Sequence, residues 1–233
     1  MAIRSRILIA DDHKLVAELF RQLLAEDFDV VGIVGDGRTL VRTADKLKPD
    51  LILVDVGMPL LNGLDAGRQV KKLLPSVKLV YLTLASDADV AAEAFEVGAS
   101  GYLLKTCAAS EMVLAVHEVL RGKTYVSKAM SRHTIDALRW EHKKLVDVNV
   151  RLSDRQREVL QLLAEGKVMK EIGVILHMSQ RTVAYHKYDM MKRLGVRSNA
   201  ELVRYAIRNH IVETNDTNVP SSSTNVPQTT CTA

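Results

Sequence analysis

Apolar runs, most of them ending in a polar residue, alternate with helical patterns through the first half of the chain. The runs predict strands over residues 7–10, 28–34, 51–54, 77–82 and 101–104. Between the strands, apolar residues recur every three or four positions, as expected for helices that bury one face. Strands that alternate with helices indicate a doubly wound α/β fold with a five-stranded parallel sheet.

The pattern changes to short helices in the last third of the chain. Ser153 and Gln156 predict a capping box at the start of one helix, and Ser179 and Ser198 are typical of the caps of two others. Two short helices joined by a tight turn, the second longer and basic, indicate a helix-turn-helix. We therefore predict an all-α domain of four helices.

Changes in composition divide the chain into four segments. An amphipathic helix from about Lys128 to Trp140, followed by polar residues, is typical of a connector. The last segment is rich in Thr, Asn, Ser and Pro and cannot bury a core, so we predict that it is disordered. The predicted segments are an α/β domain at 1–125, a helical linker at 126–150, the four-helix domain at 151–211 and a disordered tail at 212–233.

Composition narrows the classes of protein that fit. No apolar stretch reaches the roughly 18 to 20 residues of a membrane span, and no apolar signal segment precedes the first strand, so we expect a cytoplasmic protein with no membrane partner. Cys107 and Cys231 form no metal or disulfide pattern. Lys and Arg number 15 against 17 Asp and Glu in residues 1–125, but 12 against 6 in residues 151–210. The basic C-terminal part favours a nucleic acid partner, although most basic faces are simply solvated.

Polar side chains of complementary chemistry follow four of the predicted strands. Asp11 and Asp12 follow the first, Asp55 the third, Thr83 the fourth and Lys105 the fifth. In a parallel sheet these strand ends share one edge, where open α/β sheets bind their ligands. Three neighbouring carboxylates repel each other, and a hard divalent cation such as Mg²⁺ would relieve the repulsion. Asp55 alone could equally be a loop-capping residue, but the residues around it favour a site.

This arrangement resembles the receiver domain of bacterial response regulators, a flavodoxin-like fold, from about Ile3 to Lys123. The resemblance implies that Asp55 accepts a phosphoryl group from a histidine of a sensor kinase. It also implies a Mg²⁺ site and a switch that responds to the new charge. The implied metal ligands are Asp11, Asp12, Asp55 and the carbonyl of Gly57, and the residues implied to act with Asp55 are Thr83, Lys105 and Tyr102.

The four-helix segment resembles the DNA-binding domain of the LuxR/NarL family. The matching motifs are L-S-x-R-x-x-E-V-L from Leu152, then A-E-G-K, K-E-I, T-V-x-x-H and K-R-L-G-V. The resemblance implies binding to double-stranded DNA through the third helix of the segment.

Helical geometry sorts the residues of that third helix at about 100° per residue. Arg181, Tyr185, Tyr188 and Lys192 fall on one side, which we expect to enter the major groove. Lys187 lies near the opposite, core side and is expected to snorkel. Unlike arginine, tyrosine cannot make a bidentate contact to guanine, so these residues do not predict which DNA sequence is bound. The residues predicted to contact DNA are Arg181, Thr182, Tyr185, Tyr188, Lys192, Lys170 and Lys167.

Together the resemblances predict a two-component response regulator that controls transcription and is not an enzyme. Phosphorylation would free the C-terminal domain and favour homodimers on paired half-sites of DNA. One alternative is a DNA-binding regulator that acts independently of phosphorylation, which the complete set of acidic, hydroxyl and amino residues disfavours. The other is an aspartyl-phosphate phosphatase of the haloacid dehalogenase type. That chemistry normally needs a second carboxylate two residues after the nucleophile, where this chain has Gly57.

Overall fold

The computed structural model describes residues 4–84, 87–130 and 152–212. Within these ranges, parallel strands form one sheet in the order β2-β1-β3-β4-β5-β6. The strands are β1 (Arg6–Ala10), β2 (Asp29–Val34), β3 (Leu51–Asp55), β4 (Lys78–Thr83), β5 (Gly101–Leu104) and β6 (Tyr125–Val126). The helices are α1 (Lys14–Leu24), α2 (Gly37–Leu47), α3 (Gly63–Leu73), α4 (Ala88–Val97), α5 (Ala109–Leu120), α6 (Asp154–Ala164), α7 (Met169–Leu176), α8 (Gln180–Leu194) and α9 (Asn199–Arg208).

Two hydrophobic cores cover the two faces of the sheet. Successive residues of a strand point to opposite faces, so Ile52 and Val54 of β3 pack with residues of α2, α3 and α4. Leu51 and Leu53 pack with residues of α1 and α5 on the other face. Every residue of β3 is buried, as expected for a central parallel strand. The predicted doubly wound α/β fold is therefore confirmed.

Among the described residues, the sheet has one strand more than the five predicted. β6 pairs in parallel with β5, with Val126 opposite Tyr102. β6 has only two residues, which is too few for a recognisable pattern of apolar and polar positions. Its pairing with β5 in the structure is what identifies it as a strand. The Glu111 carboxylate accepts hydrogen bonds from Ser127 Oγ (3.1 Å) and from the backbone N of Lys128 (2.8 Å). The chain that leaves the α/β domain is thus fixed along the edge of the sheet.

The second domain is all-α, as predicted. The capping box of Ser153 and Gln156 starts α6, and Ser179 caps α8 by accepting a hydrogen bond from the backbone N of Thr182. The core of the domain contains Val159, Leu160, Leu162, Ile172, Leu176, Val183, Met190, Leu202, Ala206 and Ile211.

Two predicted segments cannot be compared with the structure. The predicted linker helix beyond Met130 and the predicted disordered tail beyond Val212 lie outside the described residues. In the described part of the chain, no helix is long and apolar enough to cross a membrane.

Candidate functional site

The carboxyl ends of β1, β3 and β5 bring two acidic side chains to one basic side chain. Lys105 Nζ lies 2.8 Å from Asp11 Oδ2 and 2.8 Å from Asp55 Oδ2. All three side chains are nearly inaccessible to solvent, with exposed fractions of 6%, 0% and 4%. Because β1 lies beside β3 in the sheet, the two carboxylates face a common crevice at the point where the strand order reverses.

An acidic cluster extends this site toward solvent. Asp11, Asp12, His13 and Asp55 each offer a ligand atom within 4.8 Å of the others. His13, which the sequence did not single out, lies with Nδ1 2.7 Å from Asp12 Oδ1. The only sequence feature that could have pointed to His13 as part of the site is its position directly after Asp12. Three carboxylates in this arrangement match the oxygen ligands that Mg²⁺ prefers, so the residues present fit a magnesium ion.

Burial and charge set the protonation of the central pair. Burial raises the pKa of Asp55 to about 6, the Lys105 ammonium acts in the opposite direction, and the Asp11 carboxylate adds to the rise. Burial would lower the pKa of Lys105, but Asp55 and Asp11 outweigh burial and raise it. At neutral pH, Asp55 is therefore mainly an anion and Lys105 a cation. An ionised carboxylate can act as a nucleophile.

Close backbone packing fixes the loop that follows Asp55. A Cβ on Gly63 would lie 2.0 Å from the carbonyl O of Asp55, and a Cβ on Gly37 would lie 1.9 Å from that of Leu61. The backbone N of Gly63 donates to the carbonyl O of Val56 at 2.9 Å. Only glycine permits these approaches, so α2 and α3 hold the loop from two sides.

Thr83 and Tyr102 lie on the neighbouring strands. Thr83 ends β4 and is 5% exposed, and the backbone N of Lys105 donates to its carbonyl O at 2.7 Å. Tyr102 is fully buried in the core that also contains Met130. The resemblance implies a switch role for Tyr102, and the structure places its ring inside the core.

The residues predicted to contact DNA lie on α8, on α7 and in the segment just before α7. Tyr185 and Tyr188 are 67% and 60% exposed. Lys187 is only 8% exposed and its ammonium lies 5.5 Å from the centre of the Tyr188 ring, in agreement with its predicted place on the core side. The predicted DNA-contacting residues Arg181, Thr182, Tyr185, Tyr188, Lys192 and Lys170 are exposed, and Lys167 is half-buried.

A polar contact joins the two domains through α6. Arg157 Nε donates to Asp65 Oδ1 at 2.8 Å, and its Nη2 donates to Glu93 Oε1 at 2.9 Å. Gln161 Nε2 donates to the carbonyl O of Met58 at 3.0 Å. Sequence reasoning missed this contact, because polar residues on a helix are read as its solvent face.

Comparison with known proteins places both domains in one family. Residues 7–117 match the family described as "Response regulator receiver domain", and residues 150–206 match "Bacterial regulatory proteins, luxR family". The chain is 33% identical over 216 residues to the oxygen regulatory protein NreC of Staphylococcus haemolyticus, covering 89% of this chain and 99% of that protein. The chain belongs to the luxR family of response regulators. The identity with NreC of Staphylococcus aureus strain JH9 is also 33%, over 215 residues.

Solved structures of related response regulators share this architecture. A structure of RcsB from Salmonella typhimurium matches with a TM-score of 0.59 and 26% identity, covering 89% of this chain and 99% of that one. A complex of RcsB with DNA matches with a TM-score of 0.52 and 26% identity, covering 88% and 98%.

Proposed function

We propose that this response regulator is phosphorylated on Asp55 by a histidine kinase in a Mg²⁺-dependent reaction, and that the phosphorylation controls sequence-specific DNA binding and transcription. The observation that carries the proposal is the placement of Lys105 within 2.8 Å of both Asp11 and Asp55 at the edge of the sheet. A buried cation beside two carboxylates stabilises a new negative charge formed on one of them.

The residues around Asp55 divide the chemistry between them. An oxygen of Asp55 attacks phosphorus, the P–N bond to the kinase histidine breaks, and the released imidazole takes up a proton. Asp11, Asp12, Asp55 and the carbonyl of Gly57 would hold Mg²⁺, which when bound neutralises charge on the phosphoryl oxygens. Lys105 neutralises the remaining oxygen charge.

Thr83 and Tyr102 would connect the phosphoryl group to the linker. Thr83 is the last residue of β4, and Lys105 directly follows the neighbouring strand β5. The Thr83 hydroxyl can therefore donate a hydrogen bond to a phosphoryl oxygen on Asp55. Tyr102 lies opposite Val126 of β6 and in the same core as Met130. A shift of this ring would therefore move β6, and the chain leaves the receiver domain directly after β6.

DNA recognition would fall to the exposed side of α8. Tyr185 and Tyr188 would contact sugars, a thymine methyl or phosphate, while Arg181, Thr182 and Lys192 add polar contacts. Lys167 and Lys170 would contact phosphates, which set affinity rather than sequence choice. A solved RcsB structure contains dimers bound to DNA. We infer that the phosphorylated protein likewise binds paired half-sites as a homodimer.

We also infer the domain boundaries and the location of the protein. A receiver domain at 1–125, a linker at 126–150, a DNA-binding domain at 151–211 and a tail at 212–233 agree with the family matches at 7–117 and 150–206. We infer a cytoplasmic location because its DNA target is there. We also infer that it is a regulator whose chemistry acts on its own aspartate, not an enzyme with a separate substrate.

Incubation with acetyl phosphate and Mg²⁺ tests the proposal. Intact mass reports phosphorylation, and affinity for a duplex selected from a random-sequence pool reports DNA binding. The wild-type protein should gain one phosphoryl group and bind more tightly. Asp55→Asn should do neither, whereas Asp45→Asn, at an exposed aspartate paired with Lys48, should behave as the wild type. A phosphorylated Asp55→Asn protein would refute the assignment, and DNA affinity indifferent to phosphorylation would refute the control of DNA binding.

A further inference from the structure

A cavity of about 310 Å³ lies in the all-α domain, between the turn that joins α6 to α7 and the helices α8 and α9. Apolar side chains form most of its wall. They are Leu163 of α6, Val168 and Met169 at the start of α7, and Leu202 and Val203 of α9. Ligand-binding cavities in proteins are mostly apolar and begin at about this volume. The size and the lining therefore suit a small organic molecule better than a metal ion.

Two lysines give this cavity its charge. Among the described residues that line it, Lys167 and Lys187 are charged and none is acidic. Lys187 is 8% exposed. In the part of the chain that the structure describes, no carboxylate or other hydrogen-bond acceptor pairs with its ammonium. A buried charge is costly unless it is paired, so the lining favours an anionic ligand over a neutral or a cationic one.

The position of Lys187 on α8 explains why its side chain borders the cavity. It lies four residues after Val183 and three before Met190, and both of these side chains are fully buried. Residues at these spacings share one face of a helix, so α8 holds Lys187 on the side that faces the core. Its ammonium lies 5.5 Å from the centre of the Tyr188 ring. Tyr188 is exposed, and a cation–ring contact in water is too weak to replace a counter-ion.

We propose that this cavity binds a small amphipathic carboxylate, with the carboxylate paired to Lys187 and the apolar part against Val168, Leu202 and Val203. A water molecule takes up about 30 Å³ in the liquid, so the cavity has room for about ten non-hydrogen atoms. Octanoate is a carboxylate of about that size and serves as the probe. The site is separate from the one around Asp55 and does not require phosphorylation.

Calorimetric titration of the full-length protein with octanoate tests the site. We expect saturable binding with a Kd of about 1 mM or tighter, which a ligand of this size permits. Octanol has the same chain without the charge and should bind more weakly by about tenfold or more. Acetate has the carboxylate without the chain and should not bind detectably. The absence of saturable octanoate binding would overturn the site, and equal affinity for octanol would overturn the part played by the charge.

Removal of the ammonium tests the assigned partner of the carboxylate. Lys187→Met keeps an apolar side chain of similar length, so it should weaken octanoate binding by about tenfold or more and leave octanol binding unchanged. Arg208→Met, at an exposed arginine of α9 outside the cavity, is the control for net charge and should bind octanoate as the wild type does. Wild-type octanoate affinity in Lys187→Met would contradict the pairing. The comparison of octanoate with octanol needs no variant, so it decides the matter if Lys187→Met does not fold.

Filling the cavity tests its location. Val168 lines the cavity and is 60% exposed, so Val168→Trp can place its ring there without disturbing the core. This variant should lose octanoate binding. Val174 of α7 is 71% exposed and is not part of the lining, so Val174→Trp is the matched control and should keep the affinity. Octanoate binding that survives in Val168→Trp would overturn the assignment to this cavity.

Nuclear magnetic resonance of protein with methyl-labelled methionine reports which domain holds the ligand. The Met169 methyl signal should shift as octanoate is added, whereas that of Met112, buried in the receiver domain, should stay in place. The opposite result would move the binding to the receiver domain and overturn the proposal. Sedimentation detects a different occupant. A dimer that Val168→Trp dissociates, together with no octanoate binding, would assign the cavity to a second copy of this chain.

Discussion

Replacing Asp55 with asparagine should stabilise the metal-free protein at neutral pH, although the change removes an ion pair. Burial raises the pKa of the folded-state carboxyl to about 6, against an ordinary value of 3.8. The difference between these two pKa values corresponds to about 3 kcal/mol in the free energy of unfolding. Asparagine has a similar shape and carries no charge to desolvate, and Lys105 keeps Asp11 as its partner.

The sign of the effect follows from proton binding. Between pH 4 and 6 the folded state holds a proton on Asp55 that the unfolded state has largely lost. Stability contributed by this group is therefore lost as the pH rises through that window. Below about pH 4 the carboxyl is neutral in both states, so the variant has no advantage there. Above about pH 6 the buried Asp55 is ionised, and only the wild type loses stability from burying this charge.

Urea unfolding followed by circular dichroism in EDTA, at several pH values across this window, measures the difference. The free energy of unfolding of Asp55→Asn should exceed that of the wild type by up to about 3 kcal/mol at pH 7.5 and match it near pH 4. Asp45→Asn, at an exposed carboxylate, controls for general charge effects. Saturating Mg²⁺ should stabilise the wild type more than Asp55→Asn. A wild type that is the more stable protein at pH 7.5 in EDTA would refute the reasoning.

Three further changes probe the same site and the DNA contacts. Lys105→Met leaves two buried carboxylates without their cation and should lower the free energy of unfolding by about 3 kcal/mol or more at pH 7.5, so an unchanged urea midpoint would contradict the ion-pair geometry. Gly63→Ala places a Cβ 2.0 Å from the carbonyl O of Asp55 and should cost about 3 kcal/mol or more, whereas Gly122→Ala, in open space at a φ of 84°, should cost only about 1 kcal/mol in the same assay. Lys170→Gln should weaken DNA binding on all sequences and reduce the slope of log K against log salt by about 1, and a sequence-dependent loss would argue against a phosphate contact.

Local sequence patterns predicted much of the fold because the buried positions of helices and strands recur at regular intervals and are apolar. The run from Leu51 to Val54 is apolar throughout because both faces of β3 are covered. Parallel strands then place Asp11, Asp55 and Lys105 at one edge, since all carboxyl ends of such a sheet point the same way. The chemistry at that edge therefore followed from the sequence before any distance was known.

Other features depended on pairing between distant segments. β6 forms because Tyr125 and Val126 meet the free edge of β5, and two residues carry no periodicity of their own. Tyr102 is inside because β6 pairs beside it at the edge of the sheet and Met130 packs in the same core. The residues next to Tyr102 in the sequence give no sign of these contacts, so they could not be predicted.

By itself, the sequence determined the two folds, the acidic and basic groups at the sheet edge, and which side of α8 is exposed. Only the tertiary structure decided that Gln161 and Glu165 contact the loop after Asp55, and that Arg157 pairs with α3 and α4, instead of facing water. Hydrophobic periodicity reports apolar burial within a domain. A polar contact between Arg157 and Asp65, 92 residues apart, depends on complementary charges that meet only after both domains have folded.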